Sequence, residues 1–184
     1  TLLFALLQSA NGWSEGGQNM LTAFDDRTPD LGWRTVNDNV MGGRSTGGFR
    51  LDGGVLTFAG STNTNGGGFS SIRSSSRALQ LDSAEGVKLR VRGDGRKYTF
   101  RLESSTSRIA YWAEFRTTNG SWGEVNLPFT AFGPRFRGRT LTGPPLEPAL
   151  IQSVGLMIYD GQDGPFQLDV DWIESIGRGE TLSR

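Results

Sequence analysis

The sequence predicts an all-β protein, a single β-sandwich or jelly roll spanning residues 20–177. Short runs of the chain alternate between apolar and polar residues, and no sustained apolar pattern of helical period occurs in this range. The 27 glycines and the frequent turn signals agree with about eight to ten short strands joined by tight turns. With 184 residues, the chain is long enough for one domain with a sizeable core.

Residues 1–19 are predicted to be an N-terminal extension, and residues 178–184 a C-terminal tail. The apolar run at residues 2–7 is too short to span a bilayer. It is either a short helix docked on the domain, which we favour, or the remainder of a signal peptide.

The loop from Trp33 to Ser45 has an unusual order of residues. Residues 37–39 are Asn-Asp-Asn, which fix turns through side-chain-to-backbone hydrogen bonds, and Gly42-Gly43 permits positive φ or close backbone approach. Between them lie Val40 and Met41, which we expect to be buried. The loop is therefore predicted to be held in the core at its middle, and a purely structural corner is the alternative.

Residues 47–60 read as the first hairpin, with its turn at residues 52–54. Residues 61–68 form a glycine-rich loop that resembles a phosphate cradle only superficially, because it lacks the Lys-Ser/Thr ending and a following helix. We therefore predict no nucleotide site there. Residues 69–76 are predicted to be the next strand.

Residues 87–92 and 98–103 both alternate, and Gly93-Asp94-Gly95 lies between them, so a second hairpin is predicted. One face of it would be apolar. The other face would be solvated and display four charged side chains, namely Arg90, Arg92, Arg101 and Glu103.

Residues 109–116 carry aromatic side chains on both faces of the next predicted strand. If Tyr111 and Phe115 are core residues, Trp112 lies on the outer face beside Glu114. An exposed aromatic ring between polar groups is typical of a platform for a sugar or a peptide.

Residues 122–127 are predicted to be a strand, and a long loop follows to about residue 148. Long loops in compact domains are often functional. Arginines at positions 135, 137 and 139 make this loop a candidate docking arm, with a solvated loop as the alternative. A last hairpin is predicted to join residues 154–158 to residues 166–172.

The composition excludes several classes of function. The formal net charge is zero, with 19 basic and 19 acidic residues, which argues against a general binder of nucleic acid or membrane surfaces. The chain has no cysteine and no histidine, so disulfides, thiolate metal sites and Ser-His or Cys-His arrangements are absent.

Six groups of residues, in this order along the chain, form a set of motifs: Trp33, Asn37, Asp38, Val40 to Gly43 and Ser45; 65–69; 92–95 with Tyr98; Trp122; 127–129; and 164–166. In these motifs the chain resembles the complex I intermediate-associated protein family, whose mitochondrial members help to assemble the respiratory NADH dehydrogenase. The resemblance implies a galactose-binding-like β-sandwich that helps to build or stabilise a membrane-associated redox complex through contacts with its subunits. The absence of His and Cys favours a role without catalysis, and we predict no cofactor.

The shared positions, together with the exposed tryptophan, define the predicted partner-binding residues. The hypothesis requires the 33–45 loop, the 65–69 loop and the 92–95 turn to lie close together. The predicted residues are Trp33, Asn37, Asp38, Met41, Gly42, Gly43, Gly67, Gly68, Phe69, Arg92, Asp94, Trp112 and Trp122.

Two other functions are open at this point. Carbohydrate binding is the alternative, because the implied fold is widespread among sugar-binding modules, but fold alone does not imply function. Glycoside hydrolysis would need a carboxylate pair, for which Glu103 and Glu114 are the candidates. Nothing around them marks them as special, so we predict no enzyme.

A structural calcium site is conceivable, because carboxylates are the usual ligands of Ca²⁺. The alternative, which we favour, is that these acids cap turns or lie on a solvated face. A cytoplasmic and membrane-associated location is favoured over export. The four aspartates in question are Asp25, Asp26, Asp169 and Asp171.

Overall fold

The computed structural model describes residues 20–177, which form thirteen strands in two facing antiparallel sheets, so the predicted all-β sandwich is confirmed. Three single turns of 3-10 helix occupy residues 38–41, 129–131 and 148–150. The strands are β1 Met20–Thr22, β2 Arg34–Asn37, β3 Thr46–Asp52, β4 Val55–Thr62, β5 Ser70–Arg73, β6 Ala84–Arg92, β7 Lys97–Ser104, β8 Ala110–Arg116, β9 Trp122–Pro128, β10 Gly133–Phe136, β11 Arg139–Thr140, β12 Ile151–Ile158 and β13 Gly164–Gly177.

The first sheet, called sheet A here, has the strand order β3-β4-β13-β6-β9, and β1 also pairs with β13. The second, sheet B, has the order β11-β10-β8-β7-β12-β5-β2. The predicted hairpin at residues 47–60 is confirmed as β3 and β4, which pair from Thr46–Ser61 to Asp52–Val55.

The core lies between the sheets and is built from the inward half of each alternating strand. Tyr98 and Phe100 of β7 and Leu89 of β6 are fully buried there. The Tyr98 hydroxyl donates to Asp94 at 3.0 Å, and burial, together with the nearby carboxylate, raises the pKa of Tyr98. The ring thus keeps its hydroxyl protonated and paired inside the core.

Two predicted hairpins are wrong. Strand β6 belongs to sheet A and β7 to sheet B, so residues 93–96 are a corner between sheets. The same holds for β12 and β13. The alternation of apolar and polar residues predicts which side chains point inward. It does not predict which sheet a strand joins, because a strand in the opposite sheet shows the same alternation.

The predicted long loop at residues 128–148 is also partly wrong, since it contains β10 and β11. Strand β10 pairs with β8 through Gly133–Trp112 and Arg135–Ala110. It therefore extends sheet B at the edge beside Trp112.

One end of the sandwich is held by Arg96. Its Nε and Nη2 atoms donate to Asp160 at 2.9 and 2.6 Å, and its Nη1 and Nη2 atoms reach the carbonyls of Gly164 and Gln162 at 3.1 and 2.9 Å. Burial alone would raise the pKa of Asp160, but the bonds from Arg96 outweigh it and leave that pKa below its ordinary value. The bidentate pair joins the β6–β7 corner to the β12–β13 corner.

Within residues 20–177, no helix is both long and apolar enough to cross a membrane. The predicted N-terminal extension at residues 1–19 and the tail at residues 178–184 lie outside the described residues.

Candidate functional site

A groove of about 790 Å³ runs across the outer face of sheet B. Strands β2, β5, β7, β8, β10 and β12 contribute to it, and the 38–41 turn and residues 136–138 close its sides. The lining residues are Val36, Val40, Met41, Phe69, Arg73, Arg101, Glu103, Ser104, Ser107, Arg108, Ile109, Ala110, Trp112, Arg135, Phe136, Arg137, Gly138, Gln152, Met157 and Tyr159.

Trp112 lies in this groove, on the outer face of β8, where the alternation of residues 109–116 predicts it. The guanidinium carbons of Arg101 and Arg135 lie 6.0 and 5.8 Å from its ring centroid. Tyr159 meets the ring edge-on at 6.4 Å and meets Phe69 edge-on at 6.3 Å. Three aromatic rings thus form a row from the 65–69 loop to β8.

The groove contains buried side-chain donors that no protein group accepts. Within residues 20–177 there are four such atoms, Nε of Arg73, Nε of Arg101, Nε1 of Trp112 and Nε of Arg135. All four belong to residues that line the groove. Buried donors normally find an acceptor, so this concentration marks the groove as a place for a ligand.

The groove is also strongly cationic, although the whole chain is neutral. Five arginines and one glutamate line it. Burial is the main cause that lowers the pKa of Arg73 to about 10, and the charge of Arg101 adds to it. Burial likewise lowers the pKa of Arg101, while Glu103 opposes the shift. Both guanidinium groups are charged at neutral pH.

Exposed apolar side chains border the groove. Val40 is 71% exposed, Met41 64%, Tyr159 46% and Phe136 39%. These are four of the five large exposed hydrophobic residues in the part of the chain that the structure describes; Leu51, on β3, is the fifth. The expectation that Val40 and Met41 are buried is wrong.

The residue that holds the 33–45 loop in place is Asp38, which is fully buried. Its Oδ2 accepts from Ser45 Oγ at 2.6 Å, from Gly68 N at 2.6 Å and from Phe69 N at 3.2 Å. Its Oδ1 accepts from Ser45 N at 2.9 Å. Burial alone would raise the pKa of Asp38, but these hydrogen bonds outweigh it and leave the pKa below its ordinary value.

The glycines around Asp38 are needed for this packing. A Cβ on Gly43 would lie 2.3 Å from the Asp38 Cγ, and one on Gly67 would lie 2.6 Å from Oδ2. Asn37 connects the loop to β3 as well, since its Nδ2 donates to Gly47 O at 3.1 Å. Asp38 and its neighbours therefore position the apolar pair at residues 40–41 and Phe69 at the groove.

The remaining predicted residues do not reach the groove. Arg92 and Trp122 face each other on the outer face of sheet A, with the guanidinium carbon 4.9 Å from the ring centroid. Asp94 accepts from Gln167 N at 2.9 Å, which makes it part of the corner. Trp33 packs against Phe24 at 6.1 Å, half-buried at the edge of the core.

Most of the 33–45 loop, the 65–69 loop and the 92–95 turn nevertheless share one end of the sandwich. Asp38 joins the first two, and Arg96 joins the turn to Thr62, which ends β4 just before the 65–69 loop. These contacts bring residues 38–45, the 65–69 loop and the 92–95 turn to one end of the sandwich, whereas Trp33, at the start of the first loop, lies beyond the opposite end of β2. The predicted side chains also divide between the two outer faces, with Arg92 and Trp122 on sheet A and Trp112 on sheet B.

The four aspartates considered for calcium are not gathered together. Asp25 binds Arg27, Asp169 binds Arg92, and Asp171 binds Arg90. The exposed Asp26 makes no such ion pair within the described range. Across residues 20–177, no group of three or more His, Cys, Asp or Glu residues is arranged to hold a metal ion.

The two glutamates considered for catalysis are also apart. Glu114 pairs in register with Thr99 of β7, four positions from Glu103 on that strand, which corresponds to about 13 Å at a rise of about 3.3 Å per residue. Glycosidase carboxylates lie about 5–9.5 Å apart. Glu114 binds Lys97 at 2.9 Å, and Glu103 binds Arg101.

Sequence reasoning missed Arg73, Tyr159 and Met157 as groove residues. Each lies at or near the end of a strand whose neighbours in sheet B are distant in sequence. The arginine at position 73 was the available signal, because it is a charged residue at the end of a strand whose other residues are buried.

Residues 22–170 match the family model described as Complex I intermediate-associated protein 30. The mouse protein named Complex I intermediate-associated protein 30, mitochondrial, is 38% identical over 93 residues, which cover 46% of this chain and 28% of the mouse protein. The chain therefore spans less than a third of this relative.

The solved structures with a similar fold include two carbohydrate-binding modules. The family 11 carbohydrate-binding module of the cellulosomal cellulase Lic26A-Cel5E of Clostridium thermocellum gives a TM-score of 0.66 at 18% identity, covering 92% of this chain and 100% of the module. A family 11 module from the same organism, in complex with a β-1,3-1,4-mixed-linked tetrasaccharide, gives 0.57 at 18% identity, with coverage of 86% and 95%. At these identities the likeness shows the fold alone.

Proposed function

The chain belongs to the complex I intermediate-associated protein 30 family, as its motifs indicate, and we propose that it is a non-catalytic assembly module that binds a protein partner in the groove of sheet B. The partner is proposed to be a subunit of a membrane-bound redox complex of the NADH dehydrogenase type. The mouse relative is named as mitochondrial; for this chain, a cytoplasmic and membrane-associated location stays a prediction.

The observation that carries this proposal is the position of the exposed apolar side chains. Val40, Met41, Phe136 and Tyr159 all border the groove. Exposed apolar groups around a concave surface are typical of protein–protein contact sites. Buried hydrogen bonds to Asp38 hold residues 40–41 outward, so their exposure is built into the fold.

Co-purification with matched variants tests the proposal. The tagged chain is expressed at native level in its source, mildly crosslinked and recovered from membrane and soluble fractions. Met41→Ser removes an exposed apolar group at the groove, and Leu51→Ser removes one that is 47% exposed on β3, outside the groove. Neither change should alter stability by more than about 0.5 kcal/mol.

We expect subunits of one membrane complex to be enriched by the unmodified chain and by Leu51→Ser, and recovered several-fold less by Met41→Ser. Equal recovery with both variants would place the contact away from the groove. If no protein partner is enriched in either fraction, the assembly proposal is wrong.

Carbohydrate binding is the second candidate. It is supported by Trp112 in an open groove and by the fold shared with a module whose structure contains a tetrasaccharide. A glycan screen with the unmodified chain and Trp112→Ala tests it, with Trp122→Ala as the control on the opposite face. Binding that only Trp112→Ala abolishes would favour this candidate over a protein partner.

A further inference from the structure

The two outer faces of the sandwich offer a direct comparison, because each holds a tryptophan between two arginines. On sheet A, Arg90 and Arg92 lie 5.1 and 4.9 Å from the Trp122 ring centroid. Each of these arginines has its own carboxylate, Asp171 for Arg90 and Asp169 for Arg92. The charges of that cluster are balanced within the protein.

The groove on sheet B is not balanced. Arg101 binds Glu103, and Arg73 shares the same carboxylate at 3.7 Å. Arg135 forms no ion pair with any described residue. Three guanidinium groups around Trp112 and its neighbours therefore have one carboxylate between them.

Burial makes this imbalance costly. Arg101 is only 7% exposed, yet its Nε has no acceptor, and the same holds for the buried Nε atoms of Arg73 and Arg135. A guanidinium donates through a planar fork that a carboxylate matches with two oxygens. An anionic group entering the groove would accept from these donors and offset the excess positive charge.

The apolar side chains beside the arginines also indicate what the rest of the ligand must be. Met41, Phe136 and Tyr159 are exposed beside the arginines, and Met157 is buried in the floor. A neutral sugar would leave the positive charge in excess of Glu103 without an anion. A ligand that matches both features has a carboxylate next to a bulky apolar side chain.

We propose that the groove recognises an acidic segment of its protein partner in which Asp or Glu adjoins Leu, Phe or Tyr. The carboxylate lies against Arg101, Arg135 and Arg73, and the apolar side chain lies against Tyr159 and Met41. The choice of a peptide rests on the proposed function, whereas the choice of an anion rests on the unpaired donors alone.

Fluorescence anisotropy with two peptide series tests this inference. The first is a panel of labelled, N-acetylated and C-amidated heptapeptides with a central Glu or Asp flanked by Leu, Phe or Tyr. The second has Gln or Asn at the centre and is otherwise identical. We expect the best acidic peptides to bind at least about tenfold more tightly than their amide counterparts, because a charged bidentate contact is lost. This comparison needs no protein variant.

Arg135→Gln then locates the site, with Arg92→Gln as the matched change on sheet A. We expect Arg135→Gln to weaken the acidic peptides about tenfold and to leave the amide series unchanged, while Arg92→Gln leaves both series unchanged. Thermal midpoints of both variants confirm folding. An equal effect of the two variants would overturn the assignment to the groove.

If no acidic peptide exceeds its amide counterpart, the inference is wrong even when co-purification of a membrane complex succeeds. Acid-selective binding without any co-purified partner would support the inference and contradict the proposed function. Tight binding of a uronate oligosaccharide or a neutral β-glucan tetrasaccharide, with no peptide selectivity, would overturn it in favour of a sugar ligand.

Discussion

Replacement of Asp38 by Asn tests the claim that a buried carboxylate positions residues 40–41 and Phe69 at the groove. The carboxylate accepts four hydrogen bonds from Ser45, Gly68 and Phe69. A carboxamide has one oxygen, so its NH₂ must face at least one buried donor. One unpaired donor costs about 1–3 kcal/mol, and the other bonds lose their charge assistance, so we expect a loss of about 3 kcal/mol at pH 7.

The dependence on pH gives a sharper test of the same change. The pKa of Asp38 in the folded state lies below its ordinary value of 3.8, so the ionised carboxylate stabilises the fold above about pH 4. That stability is lost as the pH falls through the folded pKa. Asn does not titrate, so the difference in unfolding free energy between the unmodified chain and Asp38→Asn should narrow as the pH falls from 5 to 2.

Guanidinium chloride unfolding, followed by tryptophan fluorescence across this pH range, measures both quantities. Asp26→Asn, a change of the same type at an exposed position, is the control and should stay within about 0.5 kcal/mol. A difference below about 1 kcal/mol for Asp38→Asn at pH 7, or one that stays constant with pH, would refute the argument.

Two further changes test the packing. Trp33→Ala should lower the free energy of unfolding by about 3 kcal/mol, because the ring packs on the core, and an unchanged thermal midpoint would contradict this. Gly43→Ala should cost about 2–3 kcal/mol, because the new methyl group would meet Asp38, whereas Gly42→Ala, with a φ of 85° and open space, should cost only about 1–2 kcal/mol. Equal unfolding midpoints for the two alanine variants would rule out the predicted clash.

For most strands, the sequence was enough to predict which side chains point into the core and which point outward. Trp112 lies outside and Tyr111 inside because side chains alternate along β8, and this alternation does not depend on the rest of the fold. The first hairpin was also predictable, because its turn is formed by neighbouring residues and does not depend on the rest of the fold. The choice of sheet for β6 and β7 was not, because it depends on their pairing with β13 and β12, which lie far along the chain.

The groove was only partly predictable. Motif positions indicated Met41 and Phe69, and alternation placed Arg101 on the outer face. The sequence led to the wrong expectation for Val40 and Met41, because apolar residues between polar ones usually turn inward. Here the buried carboxylate of Asp38, and not an apolar side chain, attaches the loop to the rest of the domain. Its burial could not be predicted, because it depends on four hydrogen-bond donors that only the structure reveals.

The uneven distribution of charge gives this neutral molecule an electric dipole. Five of its 19 basic residues and one of its 19 acidic residues line the groove, so the remainder of the chain carries 14 basic and 18 acidic residues. Because the chain carries no formal net charge, it lacks the long-range attraction between net charges, but the field of an anionic partner favours orientations in which the groove faces that partner. The groove would therefore face the partner before contact, and the rate of productive encounters would fall as salt shortens the reach of that field.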